Sequence, residues 1–323
     1  MRFGDFEVTR REGGHAHDLP FPPIPIDPKR VAAETPVRDL NFDLKRLQAA
    51  HDDGSHGTRT ARSYALAQIA DTLHELGFRG LRATGLRRKH VVALVREWKR
   101  QGRSIGTLKN RTAHIRWWAK RIGRPGVVPA NGELGIANRE YVTNEDRSAV
   151  LDPEKLARVK DPHVAMALRL EAAFGLRREE AIKFRPARDD RGGCIRLKGS
   201  TTKGGRPREV PVRHDAQRAL LDEARRLVGS FALIPPQRTY KQQLKVYESQ
   251  TREAGLYRMH GLRHRYALSR YEELTGWKAP AAGGPPQRSL TGAKRRIDTA
   301  ARRAIAEELG HRRALIASVY VGA

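Results

Sequence analysis

Helical periodicity along this chain stops at Gly123 and does not resume until about Asp152. The interval, "RPGVVPANGELGIANREYVTNED", carries two prolines and three glycines. No helix or strand can run through such a stretch, so the chain must fold as at least two bodies joined across residues 126–145. With 323 residues there is enough chain for two ordinary domains and a substantial core.

Before the break the pattern is helical. Residues 1–40, with "DLPFPPIPIDPKR", read as an extended or disordered arm, either a leader or a contact arm. Four amphipathic segments follow, the first entering the 41–125 domain from Val37: "VRDLNFDLKRLQAA", "TARSYALAQIADTLHELGF" ending at Gly77, "RKHVVALVREWKRQG" closed by Gly102, and "IGTLKNRTAHIRWWAKRIG", opened by Thr107 and closed by Gly123. Trp98, Trp117 and Trp118 could stack on nucleotides, but their helical spacing among aliphatics suits core packing better.

Charge narrows the partner. Lys and Arg number 63 against 36 acids, a formal net charge of +27. Between Phe78 and Pro125 there are fifteen Lys or Arg and one acid, Glu97. A basic face laid over an apolar one suits a phosphate backbone, which makes nucleic acid the expected partner. Candidate contacts are Arg87, Arg88, Lys89, Lys99, Arg100, Arg103, Lys109, Arg111, Arg116 and Lys120. The other classes recede. No apolar run is long enough to span a bilayer, no export signal is visible, and no basic helix carries an aromatic insertion face. Cys194 is the single cysteine, so an internal disulfide and a Cys-rich zinc site are excluded, and a reducing, cytoplasmic setting is expected.

After the break, "DPEKLARVKDPHVAMALRLEAAFGLRREEAIKFRP" predicts two or three helices, and "GCIRLKGSTTKGGRPREVPV" a hairpin or small sheet. Helices then continue to the end, apart from a Pro/Gly-rich stretch between Gly276 and Arg296 that predicts a surface loop. The second body, 146–323, is therefore mainly α with a small β element, an α+β fold.

Four separated pieces of it carry chemistry. Arg177 lies in "FGLRREE", three before Glu180; Lys203 sits at the turn of "TTKGGRPREVPV". His260 and Arg263, in "HGLRHRYA", share a helical face, and "LGHRRALIASVY" sets His311 nine residues before Tyr320. Singly, each has a plain structural explanation: a surface ion pair, a solvated turn lysine, a helix-start histidine, a packed aromatic. Their joint order, Arg…Lys…His-x-x-Arg…His…Tyr, is what those explanations leave out.

That order resembles the catalytic signature of the tyrosine recombinases, the phage-integrase family, over about residues 140–323. The helical 41–125 region resembles that family's core-binding (SAM-like) domain. "ANREYVTNED" and "YEELTGWKAPAAGGP" look like integrases of bacterial integrative elements and genomic islands. The resemblance implies a site-specific recombinase working through a 3′-phosphotyrosyl intermediate, without metal or other cofactor. Tyr320 is then the nucleophile, Arg177 and Arg263 phosphate clamps, Lys203 the general acid, His260 the acid/base, His311 a phosphate ligand and Glu180 a brace behind them. A phenol with an ordinary pKa near ~10 needs a base or a cationic field to attack at neutral pH, and this residue set offers both. The implied partners are double-stranded recombination sites, a tetramer of protomers in the synaptic complex, and possible accessory DNA-bending factors, with the protein nucleoid-associated when bound. Two features depart from the pattern. Only Val321, Gly322 and Ala323 follow the tyrosine, where many members continue with a helix that docks into a neighbouring protomer, and the 276–296 loop is long. Alternatives are a type IB topoisomerase-like nicking-closing enzyme, which shares this residue set, and a DNA-binding factor without catalysis. An RNA-binding module lacks its usual Gly/aromatic platform here.

Overall fold

The computed structural model describes residues 39–202 and 205–323. All but the last two residues of the expected N-terminal arm, and Lys203, lie outside them. The chain divides into two compact units, one ending at Arg139 and the other running from Glu140 to Ala323.

The first unit is helical: α1 (Asp39–Ala49), α2 (His56–Glu75), α3 (Arg88–Arg100) and α4 (Ile105–Arg121). Serine hydroxyls set two of the starts. Ser55 Oγ accepts from Thr58 N, and Ser104 Oγ from Thr107 N at 3.2 Å. The fourth helix therefore opens three residues earlier than Thr107, which sits inside its first turn, because the serine satisfies an amide that the helix cannot. Leu66, Leu73, Val91, Leu94, Trp98, Ile115 and Trp118 form the core. Trp117 is half-buried: the Arg62 guanidinium lies over its ring and its Nε1 donates to Asp53. Val128, Leu134 and Ile136, within the stretch expected as linker, are buried in this same core. The apolar residues spaced between its glycines and prolines give that stretch a reason to pack.

The second unit opens with α5 (Pro153–Ala157), α6 (Pro162–Phe174), α7 (Arg178–Ile182) and α8 (Pro186–Asp189). A two-stranded antiparallel sheet follows, β1 (Cys194–Leu197) with β2 (Arg208–Pro211), in a register pairing Leu197 with Arg208. Then come α9 (Asp215–Val228), α10 (Tyr240–Glu253), α11 (His260–Thr275), α12 (Gly292–Glu308) and the four-residue α13 (Ser318–Val321). Phe174, Phe184, Ile195, Val210, Leu262, Tyr271 and Ile305 are among the residues of one continuous core. Two packing details position the chemistry-bearing segments. Gly175 ends α6 in the left-handed region, φ +59°, where a Cβ would stand 2.7 Å from the Tyr266 ring of α11; this close approach brings the "GLR" turn onto the "HGLR" helix. The 276–296 stretch is also more than a surface loop, because Ala279, Ala281 and Leu290 are buried and its Pro280–Ala282 turn packs on α13.

Candidate active site

The site is assembled from the ends of elements. Arg177 is the residue just before α7, and Glu180 in that helix's first turn accepts from Arg177 N at 2.7 Å and from Arg177 Nη1 at 2.8 Å. Glu180 is 2% exposed. Arg208, at the start of β2, donates through Nη1 and Nη2 to the two Glu180 oxygens at 2.7 and 2.6 Å, and through Nε to the Glu308 carbonyl at 2.8 Å. Burial by itself would raise the Glu180 carboxyl, but the Arg208 fork, helped by the charges of Arg177 and Arg263, holds it down at about 2. Glu180 is thus a permanent anion that locks two guanidiniums into fixed directions.

Arg263, one turn into α11, is 1% exposed. Its Nη1 donates to the Gly175 carbonyl and its Nη2 to the Leu309 carbonyl. The same Leu309 oxygen accepts from Arg177 Nη2 at 3.3 Å, so one carbonyl ties the two candidate clamps together. Burial pushes the Arg263 guanidinium down to about 10; the nearby Tyr320 offsets part of this, and Arg177 and Arg208 add to it. It remains a cation at neutral pH. A guanidinium has five N–H donors. The carbonyls and the phenol engage one donor on each Arg263 nitrogen, and the two left over can meet a phosphate.

Tyr320 lies on α13, 6% exposed, with the Arg263 guanidinium over its ring. Its hydroxyl is 3.1 Å from His311 Nε2 and 3.4 Å from Arg263 Nε. Burial, with Arg263, Arg177 and Arg208 adding repulsion, lowers the His311 imidazole to about 3, so that ring is neutral at pH 7 and hydrogen-bonds the phenol as an uncharged, weakly basic partner. The His260 ring, at the start of α11, stands farther off, 6.4 Å between centroids. His264, one turn on, is closer, at 4.7 Å. The structure therefore gathers Arg177, Glu180, Arg263, His260, His311 and Tyr320 in one place, while Lys203 belongs to the β1–β2 connection outside the described residues.

Two further side chains at the site, Arg208 and His264, escaped the sequence reading although the sequence contains their signals. Arg208 stands two residues before the core residue Val210 along β2 and so shares its inner face, where an arginine must find an acid. His264 follows His260 by four residues on one helix and so shares its face.

Two family models account for most of the chain. The model described as phage integrase, N-terminal, matches residues 37–128, and the one described as integrase matches residues 137–269. The chain belongs to the phage-integrase family of tyrosine recombinases. Solved structures of similar fold include a lambda integrase dimer bound to a COC′ core site, with a TM-score of 0.57 at 14% identity over 87% of this chain and 76% of that one. Another is the XerH site-specific recombinase bound to a palindromic difH substrate, TM-score 0.53 at 18% identity over 86% of this chain and 80% of that one. A lambda integrase tetramer bound to a Holliday junction gives 0.54 at 15% identity over 86% and 76%. No curated protein sequence matches.

In the helical unit, Arg87, Arg88, Lys89, Lys99, Arg100, Arg103 and Lys120 are exposed, whereas Lys109, Arg111 and Arg116 are half-buried. Arg88 pairs with Glu133 and Arg100 with Glu97. Lys99, Lys109, Arg111 and Arg116 bond to neutral oxygens of Leu134, Asn138, Gln68 and Pro129. Arg111 also lies over the Trp98 ring, and burial lowers its guanidinium. Among the described residues no helix is long and apolar enough to cross a membrane.

Proposed function

We propose that the protein is a site-specific DNA recombinase in which the Tyr320 oxygen attacks the scissile phosphorus. The observation that carries this reading is the Tyr320 hydroxyl within hydrogen-bond reach of a neutral imidazole and a buried guanidinium. The new bond joins the phenol oxygen to phosphorus, the P–O5′ bond breaks, and a 3′-phosphotyrosyl link remains. The phenol's proton passes to His260, the acid/base of the set, while His311, a neutral ring 3.1 Å from the hydroxyl, holds it in place and then bonds the phosphate. Arg263 and Arg177 use their remaining donors on the non-bridging oxygens as negative charge builds in the transition state. Lys203 is the proposed donor to the departing 5′ oxygen. Attack of a 5′-hydroxyl on the phosphotyrosine reverses every step, so strands rejoin without an external energy source.

We extend this to a mobile element's recombination sites as substrate and a tetramer of protomers as the synaptic form. The helical unit supplies the sequence-independent grip on the phosphate backbone. The decisive experiment incubates the protein with duplexes taken from the flanks of its own gene, traps denaturant-resistant adducts, and maps the linked residue and the cut. Tyr320→Phe should form no adduct while retaining DNA at close to the wild-type affinity. An adduct formed by that variant would refute the assignment of the nucleophile.

A further inference from the structure

Behind α13, away from the phosphate pocket, a buried ionic network reaches the backbone on both sides of Tyr320. Asp298 of α12 is fully buried and accepts from Tyr271 OH at 2.6 Å, Gln287 Nε2 at 2.9 Å and Arg302 Nε at 2.8 Å. Arg302, 3% exposed and one helical turn from Asp298, carries that fixed position onward. Its Nη1 donates to Ser318 Oγ at 3.0 Å and to the Gly322 carbonyl at 2.6 Å. Those two acceptors stand two residues before and two residues after Tyr320. One guanidinium nitrogen therefore spans the turn that presents the hydroxyl.

Such a brace is needed on physical grounds. A four-residue helix has too few internal hydrogen bonds to hold its own shape, let alone to aim a side chain. Its far end is pinned as well. Gly322 sits at φ +83°, where a Cβ would stand 2.7 Å from both Ala281 N and Asn144 Oδ1, and Asn144 Oδ1 accepts from Ala323 N at 2.7 Å. The tail is thus held against its own subunit, with Arg302 as the buried anchor.

We propose that Arg302, oriented by Asp298, is a positioning residue for strand cleavage: it fixes the backbone of residues 318–322 so that the Tyr320 hydroxyl meets His311 and Arg263. The proposal rests on the reading of Tyr320 as nucleophile. Arg302 acts through the backbone and through Ser318, and Arg302→Ala should leave DNA retention within about twofold of wild type while slowing adduct formation roughly tenfold or more, as expected when only the attacking geometry is lost. Hydrogen exchange followed peptide by peptide supplies the readout that general destabilisation would not mimic. Exchange across 314–323 should quicken, while the pocket segments 175–181 and 260–268 keep their wild-type protection. Arg302→Lys keeps a cation for Asp298 but has one nitrogen where the guanidinium uses two, Nε for Asp298 and Nη1 for Ser318 and Gly322, so it should fold as wild type and recover part of the rate. An unaltered adduct rate in both variants, or exchange that quickens equally in pocket and tail in the lysine variant, overturns the proposal. An adduct formed by Tyr320→Phe would instead strike at the nucleophile assignment and leave the exchange result intact, so the two failures are distinguishable.

Discussion

Arginine plays opposite parts in the two units of this protein. In the helical unit the ten candidate DNA-contacting cations are exposed or half-buried, and among the described residues only Arg88 and Arg100 of them meet a carboxylate. In the second unit Arg208, Arg263 and Arg302 are 7%, 1% and 3% exposed, and each donates to named acceptors, although Arg302 Nη2 meets none among the described residues. Arg62, buried against Trp117 and bonded to Asp53, is the helical unit's nearest counterpart. The difference follows from dielectric. A surface cation costs the fold almost nothing and remains available to a polyanion, whereas a buried one is tolerable only when its partners are fixed, and then it fixes them in return.

The largest effect should come from breaking a buried pair. Arg208→Ala removes the fork that holds the buried Glu180 carboxylate and leaves it to Arg177 and the more distant charge of Arg263, which should destabilise the second unit by about 3–5 kcal/mol. Denaturant titration of the full chain checks this. The paired Arg208→Met/Glu180→Met variant should recover most of that stability, because apolar side chains of similar volume replace a buried ion pair at little cost. It should not recover adduct formation, since Arg177 would still have lost the carboxylate that aims it. If the double variant cleaves normally, the buried arginines of this unit are fold ballast and the contrast with the helical unit collapses.

These roles were unequally legible in the sequence. The helical unit's elements followed from periodicity, and Gly77, Gly102 and Gly123 lie just past the ends of their helices with positive φ. The start of α4 was misplaced by three residues because Ser104 competed with Thr107 as cap and only geometry decides. The candidate site residues could be named because their joint order carries the family resemblance, and the structure brings together all of them but Lys203, which lies outside the described residues. What binds them together could not: the Leu309 carbonyl shared by Arg177 and Arg263 is a backbone atom, carrying no residue-type signal at all. Arg302 was equally hidden, since within "AARRAIAEE" only packing reveals that it faces inward while Arg303 is exposed. The prolines and glycines of 276–296 suggested a surface loop, yet its alanines are small enough to lie buried against α13.

A smaller effect tests whether a buried acid obeys the same rule as the buried arginines. Glu171 of α6 is 2% exposed, accepts from Tyr247 OH at 2.8 Å, and is pushed by burial up to about 8. It is therefore protonated in the folded state at neutral pH but ionised in the unfolded chain above the usual carboxylate value of 4.5. A raised folded value means the stability is fully present below 4.5 and is lost as pH rises toward 8, because the folded state must hold a proton that the unfolded state has released. Glu171→Gln, which keeps an acceptor for Tyr247 and cannot ionise, should remove a slope on the order of 1 kcal/mol per pH unit across that window. Melting temperatures measured from about pH 5 to 9 would show the two proteins converging at the acid end and separating at the alkaline end. Parallel curves would mean that Glu171 is ionised in the fold, paired by a cation in the way Glu180 is.

The smallest effect is the sharpest test of the exposed class. Lys120 is exposed near the end of α4, so Lys120→Ala should change unfolding free energy by no more than about 0.5 kcal/mol. Its contribution should appear in DNA affinity alone, as a fall in the slope of log K against log salt by about 1. Arg116→Ala makes the informative companion. Its Nη2 donates to the Pro129 carbonyl and to Asn131 Oδ1 within the helical unit, so its loss should lower stability while leaving the salt slope unchanged. Should Lys120→Ala lower stability and leave the slope alone, the positive surface of this unit would be structural, and the excess charge of the chain would need an explanation other than a phosphate backbone.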